Sequence, residues 1–392
     1  MAKRSRNVAL TALAVTGRVL YEKVARPAAW KLDDVPYSPY AITPVWLTAA
    51  VCGDVPGAAV TGVVVEPVSA GTQARHRLRV AYNQAGREAG LPASMFTKSL
   101  PSVVTRMVAG FTGHARTEGN FYKQVRPLLK LEAPTCYYSS YDKRTFAAIH
   151  LLEDLVATKS ATFCGHTTHV TRPMAEGMVD LLATLHGRFY NDETLHETYR
   201  WLADYPRWFT IGAEKMSTEH YTQKAFDAAA SVIPAEVMAR RAEVWPATMR
   251  ALAVHKSEPT TILHSDVHIG NWYQTGDGRM GLCDWQCPSI GHWSRDFAYA
   301  MTAALKPDDR RAWERDLLAR YISRMAENCG VQLDVDQGWT YYRQQVLHAL
   351  AMWTITLCHS PLLPNMQPEA TTLTMLERIT VAAADLDSLD AC

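Results

Sequence analysis

The segment between residues 264 and 284 constrains this chain more than any other. It reads His264-Ser265-Asp266-Val267-His268-Ile269-Gly270-Asn271, followed by two short apolar runs on either side of Gly276-Asp277-Gly278. Asp-Gly between such runs is a strong signal for a β-hairpin with a two-residue loop. Placing the loop at 277 and 278 sets Asn271 directly opposite Asp284. Opposed residues lie about 4.5–5.5 Å apart. An amide oxygen and a carboxylate at that separation can share one Mg²⁺, a cation that takes oxygen ligands.

The rest of the chain supplies room for a substantial core. It has 392 residues, 48% hydrophobic and 20% charged, with a net charge of +1. That balance suits one bilobal enzyme or two to three structural units, and gives no basic field for nucleic acid. The eight cysteines are scattered and read as reduced thiols of a cytoplasmic protein, not as a disulfide framework. Cys283 and Cys287 form a lone C-x3-C without the second pair a zinc site needs. MAKRSR followed by an apolar run resembles the start of a signal peptide. Arg18, Glu22, Lys23 and Arg26 follow closely and no cleavage-like site appears, so an amphipathic helix over 7–26 is the expectation. No window is apolar enough for a stable membrane span.

Along the chain, residues 1–42 read as a helical extension. Residues 60–67, 73–82 and 93–99 read as strands, with the small-residue turn Val68-Ser69-Ala70-Gly71-Thr72 between the first two. A helix over 115–126 and a strand over 145–152 follow. Beyond 156 the pattern turns helical: Met174, Met178, Leu181, Leu182, Leu185 and Phe189 repeat at helical spacing, as do Trp313, Leu317, Tyr321 and Met325. Further helices are expected near 337–358 and 369–387. The order predicts an α+β, bilobal fold, with a small β-rich lobe at 43–155 and a larger helical lobe at 156–392.

The five-residue step from Asp266 to Asn271 matches the loop H-R-D-x-x-x-x-N of enzymes that transfer phosphoryl groups. Such transfer needs positioned phosphates, metal ions and a carboxylate beside the attacking hydroxyl. Asp266 is the candidate for that carboxylate, Asn271 and Asp284 for the metal, and His264 for support of the loop. Two other readings stay open. The segment can be an ordinary hairpin with polar ends, or His264, Asp266 and His268, alternating along a strand, can bind a hydrolytic metal.

The quoted loop, Asp284-Trp285 and Gly291-x4-Asp296-Phe297-Ala298 together resemble the signature of aminoglycoside phosphotransferase-like and choline-kinase-like enzymes. Glu118-Gly119-Asn120-Phe121-Tyr122, Leu151-Leu152-Glu153-Asp154-Leu155 and Leu182-Ala183-Thr184-Leu185-His186 resemble the ecdysteroid-kinase-like branch. The resemblance runs from about residue 43 onward. It implies a protein-kinase-like fold, ATP and Mg²⁺ as cofactors, Asp266 as catalytic base and Asp296 as a brace for the loop. It also implies a hinge at Glu153, Asp154 and Leu155 whose backbone meets adenine, and Lys98 on the α/β phosphates, paired with Glu118. The residues agree on the last point. Lys98 ends an apolar strand, and Glu118 shares a helix face with Phe121 and Val125. The phosphate loop has Gly71 alone, so Ser69, Gly71 and Thr72 are candidate phosphate contacts without a full glycine-rich pattern.

The acceptor is expected to be a small-molecule alcohol. Trp201, Trp208, Trp285, Trp293, Trp339, Tyr342 and Trp353 crowd the C-terminal half, which favours an apolar or ring-containing alcohol over a polycation. A catalytically inactive nucleotide-binding scaffold is the alternative, though Asp266, Asn271, Asp284 and Lys98 are all present. Asp284-Trp285-Gln286 in place of D-F-G argues against a protein kinase.

Overall fold

The computed structural model describes residues 2–70, 73–360 and 365–392, with the side chains at 2–8, 69 and 70 outside the description. The chain forms two compact units, Met1–Pro127 with Pro134–Ala161, and Leu128–Ala133 with Thr162–Cys392.

The first unit begins with helix α1 (Ala2–Ala25) and helix α2 (Pro44–Val51). Thr43 caps α2 by accepting the Trp46 N–H at 3.1 Å, and Pro44 takes the first turn, where its missing N–H is harmless. Strands β1 (Val60–Ala70) and β2 (Ala74–Tyr82), helix α3 (Gln84–Glu88) and strand β3 (Ser94–Ser99) follow. Helices α4 (Val103–Thr112) and α5 (His114–Asn120) precede strands β4 (Cys136–Tyr141) and β5 (Ala148–Glu153). The strands make one antiparallel sheet, ordered β1-β2-β3-β5-β4. Its core packs Leu78, Met95, Ile149 and Leu151 with Trp46 and Leu47 of α2. Helix α1 docks on α4 through Glu22, which holds Arg106 at 2.6 Å with both side chains buried.

The second unit is mainly helical, with its strands gathered around the loop of interest. Strands β6 (Thr162–Phe163), β9 (Trp272–Gln274) and β10 (Met280–Leu282) make one small sheet, ordered β10-β9-β6. Strands β7 (Ala203–Asp204), β8 (Thr261–Leu263) and β11 (Ser289–Gly291) make another, ordered β7-β11-β8. The expected stripe from Met174 to Leu185 is the buried face of helix Arg172–Arg188, which packs on helix Pro307–Cys329 and its buried Leu317, Tyr321 and Met325.

The α+β, protein-kinase-like class anticipated from the sequence is the class observed: an antiparallel sheet first, helices after it. The differences are local. The helix expected over 115–126 is α5 followed by a π-helical turn, Phe121–Val125, and a 3-10 turn, Arg126–Leu128. Strand β4 was not anticipated. Its sequence, Cys-Tyr-Tyr-Ser-Ser-Tyr, lacks apolar alternation because it is an edge strand of mixed burial.

Candidate active site

The hairpin forms, in a register that corrects the sequence expectation. Gln274 faces Met280, Tyr273 faces Gly281 and Trp272 faces Leu282. Thr275 N–H donates to Arg279 O and Gly278 N–H to Thr275 O, each at 2.9 Å. The loop therefore holds three residues, 276–278, where two were expected. Gly278, at φ +88°, supplies the left-handed residue that ends this turn. The Thr275 hydroxyl selects the longer loop: it donates to the Asp277 carboxylate and accepts the Arg279 N–H at 3.0 Å. Gly281 lacks the Cβ that would collide with the Tyr273 ring lying across it. That ring reaches Glu132, whose carboxylate accepts the phenol at 2.8 Å.

The shift of one residue puts Cys283, not Asp284, opposite Asn271, and Cys283 N–H donates to Asn271 O at 2.9 Å. A one-residue slip normally turns a side chain to the other face. Asp284 leaves the ladder with a left-handed backbone, φ +65°. It stays close enough to His264 to favour the charged imidazole.

The loop itself is fixed by its backbone. Asp296, fully buried near the start of helix Ser294–Ala304, accepts the N–H of His264 at 2.6 Å and of Ser265 at 3.1 Å. Ser265 is left-handed at φ +68°, a conformation that costs a non-glycine residue about 1–3 kcal/mol. The Asp296 carboxylate and a 2.6 Å bond from Ser265 Oγ to Ser289 Oγ hold it there. Burial pushes the Asp296 pKa up, but the His186 hydrogen bond and the Arg295, His186 and His264 charges outweigh it and leave it at about 2.

His264 has both ring nitrogens committed. Cys283 O can only accept, so Nε2 carries the proton at 3.0 Å. The Asp266 N–H can only donate, so Nδ1 accepts it at 3.2 Å. Burial lowers the His264 pKa, in keeping with that neutral tautomer. No ring nitrogen is left for a metal, which removes the His264/Asp266/His268 triad as a ligand set. His268 Nδ1 likewise accepts the Gly270 N–H, at 3.0 Å.

Asp266 emerges from this frame with its side chain 25% exposed. Asn271 Nδ2 donates to Asp266 O at 2.7 Å and to Oδ2 at 3.2 Å. Tyr299 approaches Oδ1 at 3.5 Å and His268 Nε2 lies 3.9 Å from Oδ2. With its amide nitrogen so occupied, Asn271 turns toward Asp266 and keeps its amide oxygen as an acceptor. That fits the oxygen-donor chemistry of Mg²⁺.

In the first unit, Lys98 Nζ meets Glu118 Oε1 at 2.7 Å, with both side chains buried. Glu118 Oε2 lies 3.8 Å from His150 Nε2. Glu153 ends β5 with one carboxylate oxygen accepting the Thr135 N–H at 3.0 Å and the other the Thr158 hydroxyl at 2.8 Å. Asp154 accepts Arg77 at 2.6 Å and Ser94 at 2.5 Å. Leu155 is buried and opens helix Leu155–Lys159. Ser69 pairs with Arg75 in the β1–β2 ladder; Gly71 and Thr72 lie outside the described residues.

Tyr299 and His186 were not singled out as site residues, although Asp296 and Tyr299 stand three positions apart on one helix face. The aromatic residues expected at an acceptor pocket divide. Trp285, Trp293, Trp353 and Tyr342 are buried core. Trp285 packs on His264, and Trp293 on Tyr321. Trp353, against His268, stands beside a residue that neighbours Asp266.

The chain matches no curated protein sequence significantly. Among solved structures it is similar to one from Ralstonia eutropha, provisionally assigned as an aminoglycoside phosphotransferase. The identity is 14%, with 88% of this chain and 97% of that one covered and a TM-score of 0.47. It is similar to an ethanolamine kinase of Plasmodium vivax at 13% identity, with 82% and 81% covered and a TM-score of 0.47. It is similar to the choline kinase of Streptococcus pneumoniae at 12% identity, with 83% and 95% covered and a TM-score of 0.46. Residues 103–330, more than half of the chain and the whole of the loop, hairpin and brace, match the phosphotransferase enzyme family, and the chain belongs to that family.

Proposed function

We propose that this protein transfers the γ-phosphoryl group of ATP to a hydroxyl of a small molecule. The observation that carries the reading is Asp266: a carboxylate one-quarter exposed on a loop whose backbone is pinned on both sides by Asp296 and His264. A carboxylate so held can receive an acceptor hydroxyl, orient it and take its proton as the oxygen attacks. Asn271 fixes one Asp266 oxygen and, with Asp284, would hold Mg²⁺. When bound, that ion neutralises the phosphate charge that builds up in transfer. Lys98, kept extended by Glu118, supplies a cation for the α/β phosphates, and the backbone of 153–155 is assigned to adenine.

Within the family, the motifs around Glu118, 151–155 and His186 favour the ecdysteroid-kinase-like branch. The aromatic residues near Asp266, Tyr299 at its Oδ1 and Trp353 behind His268, support an apolar or ring-containing alcohol. A cytoplasmic location fits cysteines that remain thiols.

The test is ADP release over a panel of sterols, choline, sugars and aminoglycosides. Turnover with a ring alcohol supports the full reading. Turnover with polycationic aminoglycosides alone removes the apolar acceptor, and no turnover together with no nucleotide binding removes the kinase. Asp284→Ala is expected to weaken nucleotide binding only when magnesium is present; an unchanged magnesium dependence takes Asp284 out of the metal site.

A further inference from the structure

Helix α1 has two apolar faces, and only one is used. Val15, Val19 and Glu22 are buried and, at 100° per residue, share one side of the helix. Glu22 pairs there with Arg106 at 2.6 Å and with Arg18 at 2.8 Å. The opposite side carries Leu10, Leu13, Leu20, Tyr21 and Val24, each between 51% and 85% exposed. With Ala14 and Gly17 these residues fill a continuous arc of about 120°. Trp30, at 59%, and Leu32, at 41%, extend the exposed apolar surface just beyond the helix. Single exposed leucines need no explanation, but a continuous stripe of them does.

The charge of α1 says what covers the stripe. Its sequence holds Lys3, Arg4, Arg6, Arg18 and Lys23 against a single acid, Glu22. That is a net +4 in a chain whose total is +1. The one acid is turned inward, on its ion pairs, so among the described residues of this helix no acid faces outward. Helical periodicity places positions 3 and 6 in line with Leu10 and Leu13. A second copy meeting this face symmetrically would set net +4 against net +4, and like charges oppose that contact. Among the described residues no helix is long and apolar enough to cross a membrane. Leucine on one face, cations beside it, and Tyr21 and Trp30 at its C-terminal end make up an interfacial helix.

We propose that the outer face of α1 docks the protein on an anionic lipid surface. The inner face keeps Glu22 on Arg106, so docking leaves the first unit folded as it is. The proposal is independent of the phosphotransfer reading.

Flotation of the full-length protein tests it, with vesicles of phosphatidylcholine alone and of phosphatidylcholine with phosphatidylglycerol. Binding is expected to the anionic vesicles, weakened by salt, with little on the neutral ones. Leu13→Glu with Leu20→Glu is expected to cut binding at least tenfold, roughly, without moving the thermal midpoint, since both side chains face solvent. Lys23→Glu is expected to cut it about fivefold. Absence of binding, equal binding to both vesicles, or a double variant that binds like the parent overturns the proposal. So does a dimer in sedimentation that the double variant dissolves, which would make a second copy the occupant.

Discussion

The charged groups singled out in each unit are held by different means. In the first, the charges meet side chain to side chain: Lys98 with Glu118, Arg77 with Asp154, Arg106 with Glu22. In the second, the decisive contacts run from side chain to backbone. Asp296 takes the N–H groups of 264 and 265, His264 takes that of 266 and gives to Cys283 O, and Asn271 gives to Asp266 O. An ion pair fixes the end of a flexible chain; a carboxylate on two successive N–H groups fixes the backbone itself. Lys98, proposed for the phosphates, belongs to the first kind, and Asp266, the proposed base, to the second. The second kind suits a group that must be preorganised to within a fraction of an ångström.

Breaking each arrangement in turn measures the difference, beginning with the largest effect. Asp296→Ala strands two backbone N–H groups and the buried Arg295, and is expected to cost about 3–5 kcal/mol of stability, read by urea unfolding. No apolar replacement can restore it, because two of its partners are main-chain N–H groups.

Lys98→Met leaves Glu118 with His150 nearby and is expected to cost about 1.5–3 kcal/mol and to raise the KM for nucleotide. Here the double variant Lys98→Met, Glu118→Leu is expected to recover most of the stability but none of the nucleotide affinity, since a pair can be replaced as a pair. Recovery of affinity in the double variant would remove Lys98 from the nucleotide.

Acid provides a smaller and more graded contrast. Burial lowers the pKa of His255 to about 3, and lowers those of His264, His292 and His348, all in the second unit. A folded pKa below the unfolded value means that unfolding takes up protons. The stability is whole above pH ~6.5 and falls as the pH drops toward ~3, by up to about 1.4 kcal/mol per pH unit for each histidine. Hydrogen exchange at pH ~5 and ~7 is expected to show the protection of the second unit falling more than that of the first, where burial lowers His76. Equal losses in both units would contradict this ordering.

The sequence makes the hairpin legible but not its register. Gly276-Asp277-Gly278 serves a two-residue or a three-residue loop, and the choice falls to the Thr275 hydroxyl, a contact that no spacing rule encodes. The pairing of Asn271 with Asp284 was thus read one residue out. The left-handed turn at Asp284, visible only in three dimensions, keeps the acid beside His264. The Lys98–Glu118 pairing could be read from a strand end and a helix face, because both patterns are periodic. His255, His292 and His348 could not, since their burial comes from contacts among distant segments such as His255 with Gln345 and Tyr205 with His348. The tryptophans misled for the same reason: composition reveals how many there are, and only packing shows that Trp293 and Trp353 are both buried, one on Tyr321 and the other against His268.

The central claim is that Asp266 acts on the acceptor while the surrounding backbone contacts do the holding. Phosphate transfer and nucleotide affinity, measured together for Asp266→Ala, test it most directly. The kcat of this variant is expected to fall by about 10²–10⁴-fold, with Mg·ATP affinity and the thermal midpoint near those of the parent. A variant that turns over at the parental rate, or one that loses nucleotide binding as fully as turnover, would contradict it.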